Sequence, residues 1–476
     1  MEINEPTGYQ EEGTMRETLG AMKAAQRLAG TPNLAVRNER LSRIAAMVRT
    51  YQEEIVAAVD EDFGGRAREE TLLAEIFTTL SSVRHARKYL RRWMRPERRS
   101  LDLAFRPARA KLLPQPLGVV GIISPWNYPL YMATSPLVGA VAAGNRVMVK
   151  PSEHTPRTSA LMAKMIGGFF AADEIAVIQG GRRVGEVFSC LPFDHLLYTG
   201  SASVARRIMA AAAENLTPVT LELGGKSPAI ISEDVDLGTA ATSIVRGKLF
   251  NAGQTCVAPD YVLLPRSMRD SFIEAALAAA ANFYPTVGDN SDYSAIVDQK
   301  QYDRIQTLLA NAVADGAKIC TVGEGAGRKV PLTLLTNTNS DMAIRREEIF
   351  GPLLPLVEYE DLDEAIDLVN DGPHPLALYV YGRNAATIDR VLNETKSGGV
   401  VVNDCFLHAG VEDLPFGGVG ASGMGQYHGQ AGFETFSKLK PVLYQSRWNG
   451  MWLLYPPYGR RTNTIINLLL KRKAKI

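Results

Sequence analysis

The sequence predicts an α/β fold in which a mostly parallel, doubly wound sheet is covered by helices on both faces. From residue 116 onward, short β-branched runs alternate with alanine-rich helical stretches such as VARRIMAAAAENL (204–216). This alternation is typical of right-handed βαβ units. The β-branched runs are GVVGIIS (118–124), RVMVKPS (146–152), IAVIQGG (175–181), HLLYTGS (195–201) and VTLELGG (219–225).

Residues 36–63, before this series, predict one long amphipathic helix. Apolar residues recur there at steps of three and four, and Gly64 with Gly65 ends the pattern. The apolar positions are Leu41, Ile44, Val48, Tyr51, Ile55 and Val59.

A second series of strands predicts a second α/β domain. The strands are PAIIS (228–232), DYVLLP (260–265) and GGVVVN (398–403), with helical patterns over 269–282 and 299–315. No motif repeats at a fixed period, and no low-complexity linker separates the two series. A chain of 476 residues is long enough for two or three domains with a large buried core.

Composition and charge exclude several classes of protein. The net charge of +1 does not indicate a nucleic-acid-binding protein, and no apolar run approaches the ~20 residues that cross a bilayer. The acidic residues 1–15 lack the apolar core of a secretory signal. The four cysteines have no paired spacing, which is typical of a reducing compartment. We therefore expect a cytoplasmic protein.

Cys256 is the strongest candidate for a catalytic nucleophile. It lies in the turn-like stretch FNAGQTCVAPDY (250–261), whereas a cysteine retained for packing is more typical of an apolar strand or helix. A free thiol has a pKa of ~8.5, so little of it is thiolate at neutral pH unless the site assists. The alternative is that Cys256 is a small buried hydrophobic residue, as most free cysteines are.

Two other residues could complete the chemistry of an attacking thiolate. Asn127, in SPWNYP (124–129), could donate its amide to an oxyanion at the C-terminal end of a strand, where open α/β sheets bind ligands. Glu222, in LELGGKSP (221–228), could be the general base that activates water to release an acyl-thiol. The simpler interpretations are a turn asparagine and a solvated surface glutamate.

Two further strand ends could hold a nucleotide. In KPSEHTP (150–156), Lys150 and Glu153 directly follow a strand. In YTGS (198–201), a glycine and a hydroxyl residue precede a helix whose backbone amides would face an anion. Ordinary strand-to-helix turns contain the same residue types, so both interpretations stay open.

Two other patterns predict no site. The G-x-G-x-x-G match formed by Gly418, Gly420 and Gly423 does not follow a β-rich run, and no βαβ unit comes after it. We therefore expect a flexible loop or domain hinge there. Cys405 and His408 have half of a zinc-ligand spacing, but no second pair exists, and we predict no metal site.

Together these stretches resemble the NAD(P)-dependent aldehyde dehydrogenase superfamily over about residues 35–445. Within that span, GQTCVAPDY and NLTPVTLELGGKSPAI are most similar to the class 3 branch, and there to the coniferyl aldehyde dehydrogenases. The motifs, in the family's order, are PWNYP (125–129), KPSEHTP (150–156), YTGS (198–201), LELGGKSP (221–228), GQTC (253–256), EEIFGP (347–352) and PFGG (415–418).

The resemblance implies oxidation of an aldehyde to a carboxylic acid through a thioester on Cys256. Asn127 and the backbone N–H of Cys256 would form the oxyanion hole, and Glu222 would be the general base. The cofactor would be NAD, with NADP as the alternative. The residues implied to bind it are Lys150 and Glu153 at the adenosine ribose, Trp126 and Ser201 beside the pyrophosphate, Glu348 at the nicotinamide ribose and Phe350 beside the nicotinamide ring.

The chain departs from the family pattern at one cofactor motif. Relatives often have a G-S-T-x-x-G run, whereas this chain has Ala202 in place of the threonine and Ala205 in place of the last glycine. We expect the Ala205 methyl to alter how closely the helix approaches the cofactor. Glu153 favours NAD over NADP, because a carboxylate accepts from a ribose 2′-hydroxyl and repels a 2′-phosphate.

The resemblance also implies an architecture. A Rossmann-like NAD-binding domain would comprise residues 1–97 and 117–223, and an α/β catalytic domain would comprise residues 224–421. Residues 98–116 and 437–446 would form a bridging β element for oligomerisation. Because edge strands of that element pair between subunits in the family, we expect a homodimer.

The tail, residues 447–476, ends in an apolar stretch followed by basic residues. We expect it to pack on its own subunit with a solvated basic end. Weak contact with an anionic membrane surface is the less favoured alternative. The basic residues are Lys471, Arg472, Lys473 and Lys475.

We expect an aromatic or long apolar aldehyde as the substrate, and the sequence leaves the individual aldehyde open. The nearest alternative function is a CoA-acylating aldehyde dehydrogenase, but Glu222 argues against it, since that branch lacks a base at this motif. A non-catalytic binding member of the family is the other alternative. The residues predicted to form the substrate funnel are Tyr128, Tyr131, Phe250, Phe406 and Leu407.

Overall fold

The computed structural model describes residues 8–473, and three β-sheets lie within them. The first sheet has six strands, and each neighbouring pair is parallel except the pair that includes Gly423–Met424. Each of the five runs predicted for the first series contains one of its strands, and the predicted α/β fold is confirmed. The spatial order is Gly423–Met424, Val219–Glu222, His195–Thr199, Val119–Ile123, Arg146–Lys150 and Ile175–Val177.

Helices cover both faces of this sheet. Alternate residues of a strand point to opposite faces, and here the residues on both faces are apolar and need to be buried. In the central strand, Val120 and Ile122 pack into one apolar cluster, and Val119 and Ile123 pack into another. The helices between the strands are Tyr131–Ala143, Pro156–Phe169, Arg182–Ser189 and Ala202–Ala213. The preceding helices are Gly8–Ala29, Leu34–Thr50, Gln52–Phe63, Arg68–Thr71, the π-helical turn Leu72–Phe77, and Thr78–Trp93.

The prediction of one helix over residues 36–63 is wrong. The chain forms two helices, Leu34–Thr50 and Gln52–Phe63, because Tyr51 between them has φ −102° and ψ 17°, outside the helical region. The residues of the predicted apolar pattern are nevertheless buried, apart from Tyr51, which is partly exposed. Gly64 ends the second helix in a left-handed conformation.

The second sheet has seven strands, of which four were not predicted. Only the pair at its first edge is antiparallel. The spatial order is Lys318–Thr321, Thr333–Thr336, Leu353–Tyr359, Tyr261–Pro265, Pro228–Ile231, Ala377–Tyr381 and Gly399–Val402. The helices around it are Leu237–Leu249, Arg269–Phe283, Gln299–Ala314, Ala343–Arg346, Leu362–Asn370 and Ala385–Glu394.

The third sheet is small and antiparallel, with strands Glu97–Arg99, Arg109–Pro116 and Ser437–Tyr444. All eight residues of Ser437–Tyr444 pair with Arg109–Pro116. Within the described residues, the other edge of Ser437–Tyr444 has no partner strand. Its predicted role in joining subunits, like the predicted domain boundaries, stays a prediction.

The glycine-rich segment 418–423 consists of a loop and the 3-10 turn Gly420–Ser422 and ends in a strand that the sequence did not predict; its predicted role as a flexible loop or domain hinge stays a prediction. Gly423 and Met424 form a short strand that pairs with Glu222 and Leu221, and so extend the first sheet. A Cβ on Gly418 would overlap the backbone of Ser422, so the absence of a side chain permits this close packing.

The tail does not pack against the body of its subunit as predicted. Helix Arg460–Lys473 contacts mainly the short 3-10 helix Met451–Leu454, and Leu468 and Leu470 are 59% and 64% exposed. The structure does not describe the side chains of Lys471, Arg472 and Lys473, and Lys475 lies outside the described residues. No helix in residues 8–473 is both long and apolar enough to cross a membrane.

We expect removal of residues 447–476 to leave the temperature of thermal unfolding almost unchanged, because the tail has few contacts with the rest of the chain. Removal of residues 437–476 also deletes strand Ser437–Tyr444 and should lower that temperature markedly or prevent folding. Scanning fluorimetry at equal protein concentrations measures both. A large decrease for the shorter deletion would show that the tail has a stabilising contact surface.

Candidate active site

A cavity of about 260 Å³ lies where the carboxyl ends of strands in the first sheet meet loops that precede strands of the second sheet. Ligands of open α/β sheets bind at such strand ends. Seven of the nine predicted site residues line this cavity, and Lys150 and Glu153 do not. The seven are Trp126, Asn127, Ser201, Glu222, Cys256, Glu348 and Phe350.

Asn127 is held in place through its backbone. Its carbonyl oxygen accepts hydrogen bonds from Arg66 Nη1 and from Asn251 Nδ2, both at 3.0 Å. Asn127 follows the strand Val119–Ile123 of the first sheet. Asn251 lies in the loop that contains Cys256 and precedes the strand Tyr261–Pro265 of the second sheet. This one oxygen therefore joins two loops that belong to different sheets.

Cys256 lies in a loop that depends on left-handed backbone conformations. The φ angles of Asn251, Ala252 and Gly253 are 52°, 51° and 76°. Asparagine and glycine adopt this region readily, whereas alanine is strained there. A Cβ on Gly253 would also overlap the carbonyl oxygen of Gly351, so the GQTC motif needs its glycine for close packing.

The side chain of Gln254 fixes the same loop. Its Nε2 donates to the carbonyls of Asn251 and Ala295, both at 3.0 Å, and its Oε1 accepts the Val297 N–H at 2.9 Å. Gln254 is fully buried, so these three bonds satisfy polar atoms that have no access to water. The loop presents Cys256, which is half-buried, to the cavity.

Glu222 is a buried carboxyl without a partner. It ends the strand Val219–Glu222 and is 2% exposed, and neither of its carboxyl oxygens has a hydrogen bond within the part of the chain that the structure describes. Burial therefore raises the pKa of Glu222 well above the usual value for glutamate. A carboxyl group with such a pKa is suited to proton transfer near neutral pH.

The Glu348 carboxyl group lies against the backbone of Gly224 and Gly225, between the last predicted strand of the first sheet and the first strand of the second. A Cβ on Gly224 would overlap the Glu348 carboxyl group, so only glycine permits this approach. Burial, followed by the charge of Asp260, raises the pKa of Glu348 to about 8, although the Gly225 N–H donates to its carboxylate. One carboxyl oxygen, Oε1, is buried without a partner among residues 8–473.

A buried ion pair between Lys226 and Asp260 anchors the segment before Glu348. The Lys226 ammonium contacts the Asp260 carboxylate and donates to the carbonyls of Ile344 and Glu347, both at 2.9 Å. The other carboxylate oxygen of Asp260 accepts the Ile349 N–H at 3.0 Å. The position of the EEIFGP motif therefore depends on this ion pair.

Burial raises the pKa of the Cys256 thiol to about 12, and the nearby Glu348 and Glu222 carboxyl groups act in the same direction. A thiolate at Cys256 would lie close to two carboxyl groups and would be only partly solvated. At neutral pH the free protein therefore retains the thiol proton, and the reaction must supply a means of removing it.

Of the predicted cofactor residues, Trp126, Phe350 and Ser201 line the cavity, whereas Lys150 and Glu153 lie outside its lining. The rings of Trp126 and Phe350 meet edge to face with centroids 5.3 Å apart, and Ser201 precedes a helix N-terminus. Lys150 Nζ donates to Glu153 Oε2 at 2.9 Å. Partial burial is the largest single influence and raises the pKa of Glu153, but the hydrogen bonds from Lys150 and the backbone, together with the charges of Lys150 and His154, outweigh it, and the net shift is downward. Glu153 is therefore an anion at neutral pH.

These residues fit a dinucleotide. Glu348 Oε1 and the hydroxyl of Thr199 are polar atoms buried beside the cavity with no partner in the described chain, as expected of groups that bind a polar ligand. A Cβ on Gly200 would overlap the Tyr198 hydroxyl, so the YTGS turn is narrow, and its residues Thr199, Gly200 and Ser201 line the cavity.

Sequence reasoning missed the apolar wall of the cavity. None of the five predicted funnel residues lines it; the rings of Phe250 and Phe406 instead pack against each other at an angle of 57°, with centroids 5.2 Å apart. The motif PFGG (415–418) contains Phe416, one of the residues of this wall, and was the available signal for it. The lining residues without a predicted role include Met132, Gln301, Arg304, Leu376, Phe416 and Tyr427.

Comparison with known proteins identifies the family. The model of the "Aldehyde dehydrogenase family" matches residues 5–442, nearly the whole chain. The chain belongs to the aldehyde dehydrogenase family. It is an oxidoreductase that acts on aldehydes, and the predicted family is confirmed.

Two curated relatives support the class 3 assignment. The chain is 48% identical to a "Probable coniferyl aldehyde dehydrogenase" of Pseudomonas aeruginosa over 97% of this chain and 98% of that protein. It is 41% identical to "Aldehyde dehydrogenase family 3 member A2" of Mus musculus, with 89% and 87% covered.

Two solved structures have the same fold. The chain matches a substrate-bound state of Staphylococcus aureus AldH with a TM-score of 0.91 and 38% identity, covering 96% of this chain and 99% of that one. It matches the P. syringae indole-3-acetaldehyde dehydrogenase AldA, in complex with NAD⁺ and IAA, with a TM-score of 0.84 and 27% identity, covering 91% and 89%.

We expect alkylation of Cys256 by iodoacetamide to accelerate steadily as pH rises from 7 to about 10, because the thiol pKa is raised. At the alkaline end, Glu348→Gln should accelerate it further, because loss of a carboxylate lowers the thiol pKa. Glu222→Gln should have a smaller effect in the same direction. Mass spectrometry of the Cys256 peptide measures the rate, with the exposed Cys190 as the internal reference.

A rate for Cys256 that is already maximal at pH 7 would contradict the raised pKa. Unchanged rates in both variants at pH 10 would show instead that burial alone, and not the neighbouring carboxylates, controls the thiol.

Proposed function

We propose that the protein oxidises an aromatic aldehyde of the coniferyl type to its carboxylic acid, with NAD as the preferred cofactor and NADP as the alternative. The observation that carries the proposal is that a cysteine, an amide and an unpaired buried glutamate line one cavity. The relatives named coniferyl aldehyde dehydrogenases, at 48% and 46% identity, support the substrate class.

In the first step, the Cys256 thiol gives up its proton through water to the solvent, and the resulting thiolate adds to the aldehyde carbon to form a thiohemiacetal oxyanion. The carbonyl oxygen gains negative charge, and the Asn127 amide and the Cys256 backbone N–H donate to it. Because these donors lie in a largely water-excluded cavity, they stabilise the charge more than water would. The rigid backbone contacts of Asn127 keep its amide ready before charge develops.

The cofactor, when bound, supplies the acceptor for the hydride of the former aldehyde carbon. Lys150 and Glu153 would hold its adenosine ribose, and Trp126 and Ser201 would border its pyrophosphate. Glu348 would bind the nicotinamide ribose, where its unpaired oxygen is available, and Phe350 would pack beside the ring. The anionic Glu153 disfavours a 2′-phosphate, which supports NAD over NADP.

In the last step, Glu222 removes a proton from water, which attacks the thioester carbon. As the C–S bond breaks, Glu222 passes that proton to the departing Cys256 sulfur, so the carboxylic acid is released and Cys256 is restored as a thiol. The raised pKa of Glu222 makes it a stronger base than an exposed carboxylate, but it must lose its proton before it can act. A hydrolytic reaction needs such a base, whereas a CoA-acylating enzyme would use CoA as the acceptor.

The apolar side chains of the cavity support a flat aromatic substrate. Its large apolar or aromatic members other than the cofactor-side residues are Met132, Leu223, Leu376, Phe416 and Tyr427. Aromatic rings prefer such surroundings, in which edge-to-face contacts add to burial. Binding of the ring would place the aldehyde carbon towards Cys256.

We expect the wild-type protein to reduce NAD when given coniferyl aldehyde, and Cys256→Ser to lose at least roughly 10³-fold of this rate, because no thioester can form. Glu222→Gln should give a burst of one reduced cofactor per subunit followed by slow turnover. The absorbance of reduced nicotinamide measures both, with NADP and aliphatic aldehydes compared. A wild-type rate that requires added CoA would overturn the hydrolytic mechanism.

We further propose a homodimer that forms through the free edge of strand Ser437–Tyr444. An unpaired strand edge is a template for pairing with another chain, and Leu443 and Tyr444 at its end are 55% and 50% exposed. The exposed tail residues Trp448 and Trp452, next along the chain, would extend such an interface. We regard membrane contact by the tail as the less favoured alternative.

Light scattering coupled to size exclusion should give twice the chain mass of 51.9 kDa at micromolar concentration. Deletion of residues 447–476 should weaken but not abolish the dimer, because strand Ser437–Tyr444 remains. A monomer at all concentrations would contradict the proposal, and binding of the full-length chain to anionic vesicles would favour the membrane alternative.

A further inference from the structure

We propose that Arg66 is a positioning residue for the reaction: it orients the backbone of Asn127 and thereby aims the Asn127 amide into the cavity. The inference rests on the proposed function, which gives Asn127 the role of oxyanion donor. Arg66 is not among the residues that line the cavity, so any effect on the chemistry must pass through another residue.

The direction of the Asn127 amide is set by the backbone. Among residues 8–473, no hydrogen bond holds the amide, whereas the carbonyl oxygen of the same residue accepts two. A rotation of this peptide would change where the side chain points. The groups that hold the carbonyl therefore control the oxyanion donor.

Arg66 is built to hold that carbonyl rigidly. Its side chain has no exposure, and Nη1 donates both to Asn127 O at 3.0 Å and to Glu75 Oε1 at 3.3 Å. The guanidinium plane lies over the rings of Phe63 and Tyr128, at 5.0 Å and 4.9 Å from their centroids. Stacking on two rings restricts a planar guanidinium in a way that an ammonium group cannot reproduce.

Glu75 extends the same control to the other end of the turn. While Oε1 pairs with Arg66, Oε2 accepts the N–H groups of Leu130 and Tyr131, both at 2.8 Å. Glu75 lies in the π-helical turn Leu72–Phe77, and such turns are frequent at functional sites. The turn from Asn127 to Tyr131 is therefore fixed by an ion pair at its first carbonyl and at its last two amides.

Stability alone explains this arrangement poorly. A buried ion pair is weak evidence for stabilisation, since apolar side chains of similar volume often stabilise as much. Moreover, Arg66 Nε and Nη2 are buried without partners among the described residues, so the guanidinium is only partly satisfied. Of the two hydrogen bonds that Nη1 donates, the one to the Asn127 carbonyl is shorter, at 3.0 Å against 3.3 Å. That hydrogen bond is the one that orients the proposed oxyanion donor.

A double-mutant cycle tests the inference, with Arg66→Lys, Asn127→Ala and the double variant assayed for NAD reduction with coniferyl aldehyde. Arg66→Lys should lower kcat roughly 10- to 100-fold while both KM values change less than about twofold. Asn127→Ala should lower kcat roughly 10²- to 10³-fold. In the Asn127→Ala background, Arg66→Lys should have less than about a twofold further effect, because the group that it orients is absent.

Three controls make the outcome decisive. Arg68→Lys, two residues away and in an exposed pair with Glu53, should leave kcat unchanged. Glu75→Gln, which keeps the shape of the side chain, should reproduce the same non-additivity and replaces Arg66→Lys if that variant does not fold. Thermal unfolding of each variant checks that the fold is intact.

Equal losses from Arg66→Lys in both backgrounds would show a general structural role and overturn the inference. An unchanged kcat in Arg66→Lys would overturn it as well, while leaving the proposed function intact. Absence of aldehyde oxidation in the wild type would overturn the proposed function, and this inference with it.

Discussion

The ion pair between Lys226 and Asp260 is the contact on which the geometry of the cavity depends. Lys226 follows Glu222 by four residues, Asp260 follows Cys256 by four, and the Asp260 carboxylate also binds the amide next to Glu348. Three groups from distant parts of the chain are thus each within four residues of one buried contact. Removal of Lys226 would leave the buried Asp260 carboxylate with the Ile349 N–H and the charge of the buried Lys248, but without its direct ion-pair partner. This one contact therefore links the segments that carry Glu222, Cys256 and Glu348.

Sequence patterns predicted the first sheet better than the second, for local reasons. The strands of the first sheet are short β-branched runs between helices, and each predicted run contains one. In the second sheet, Leu353–Tyr359 contains Pro355, and Ala377–Tyr381 follows Pro373 and Pro375. Proline normally argues against a central strand, so these runs did not predict one. The break at Tyr51 also left no sequence signal, because the apolar pattern continues through it with the same period.

The candidate site was predictable where side chains act directly and not where they act through backbone atoms. Cys256, Asn127, Glu222 and Glu348 belong to short motifs whose chemistry can be read from residue type. Arg66 contacts a backbone carbonyl 61 positions away, which any residue type could supply. No spacing rule connects such partners, since only the three-dimensional fold brings them together. The apolar wall of the cavity was not predicted either. Large apolar residues occur throughout every buried core, so residue type does not distinguish a cavity wall from the core.

The strand Gly423–Met424 has a consequence for how the enzyme is made. Glu222 lies on a strand whose outer neighbour is supplied by residues two hundred positions later. During synthesis the first sheet can assemble without that neighbour, since domains generally fold as units and N-terminal ones first. The outer edge of the strand that carries Glu222 then remains unpaired until residues 423 and 424 have left the ribosome. A nascent chain thus carries the whole Cys256 loop before the strand of Glu222 has its outer neighbour, so we expect the surroundings of Glu222 to be among the last parts of the cavity to form.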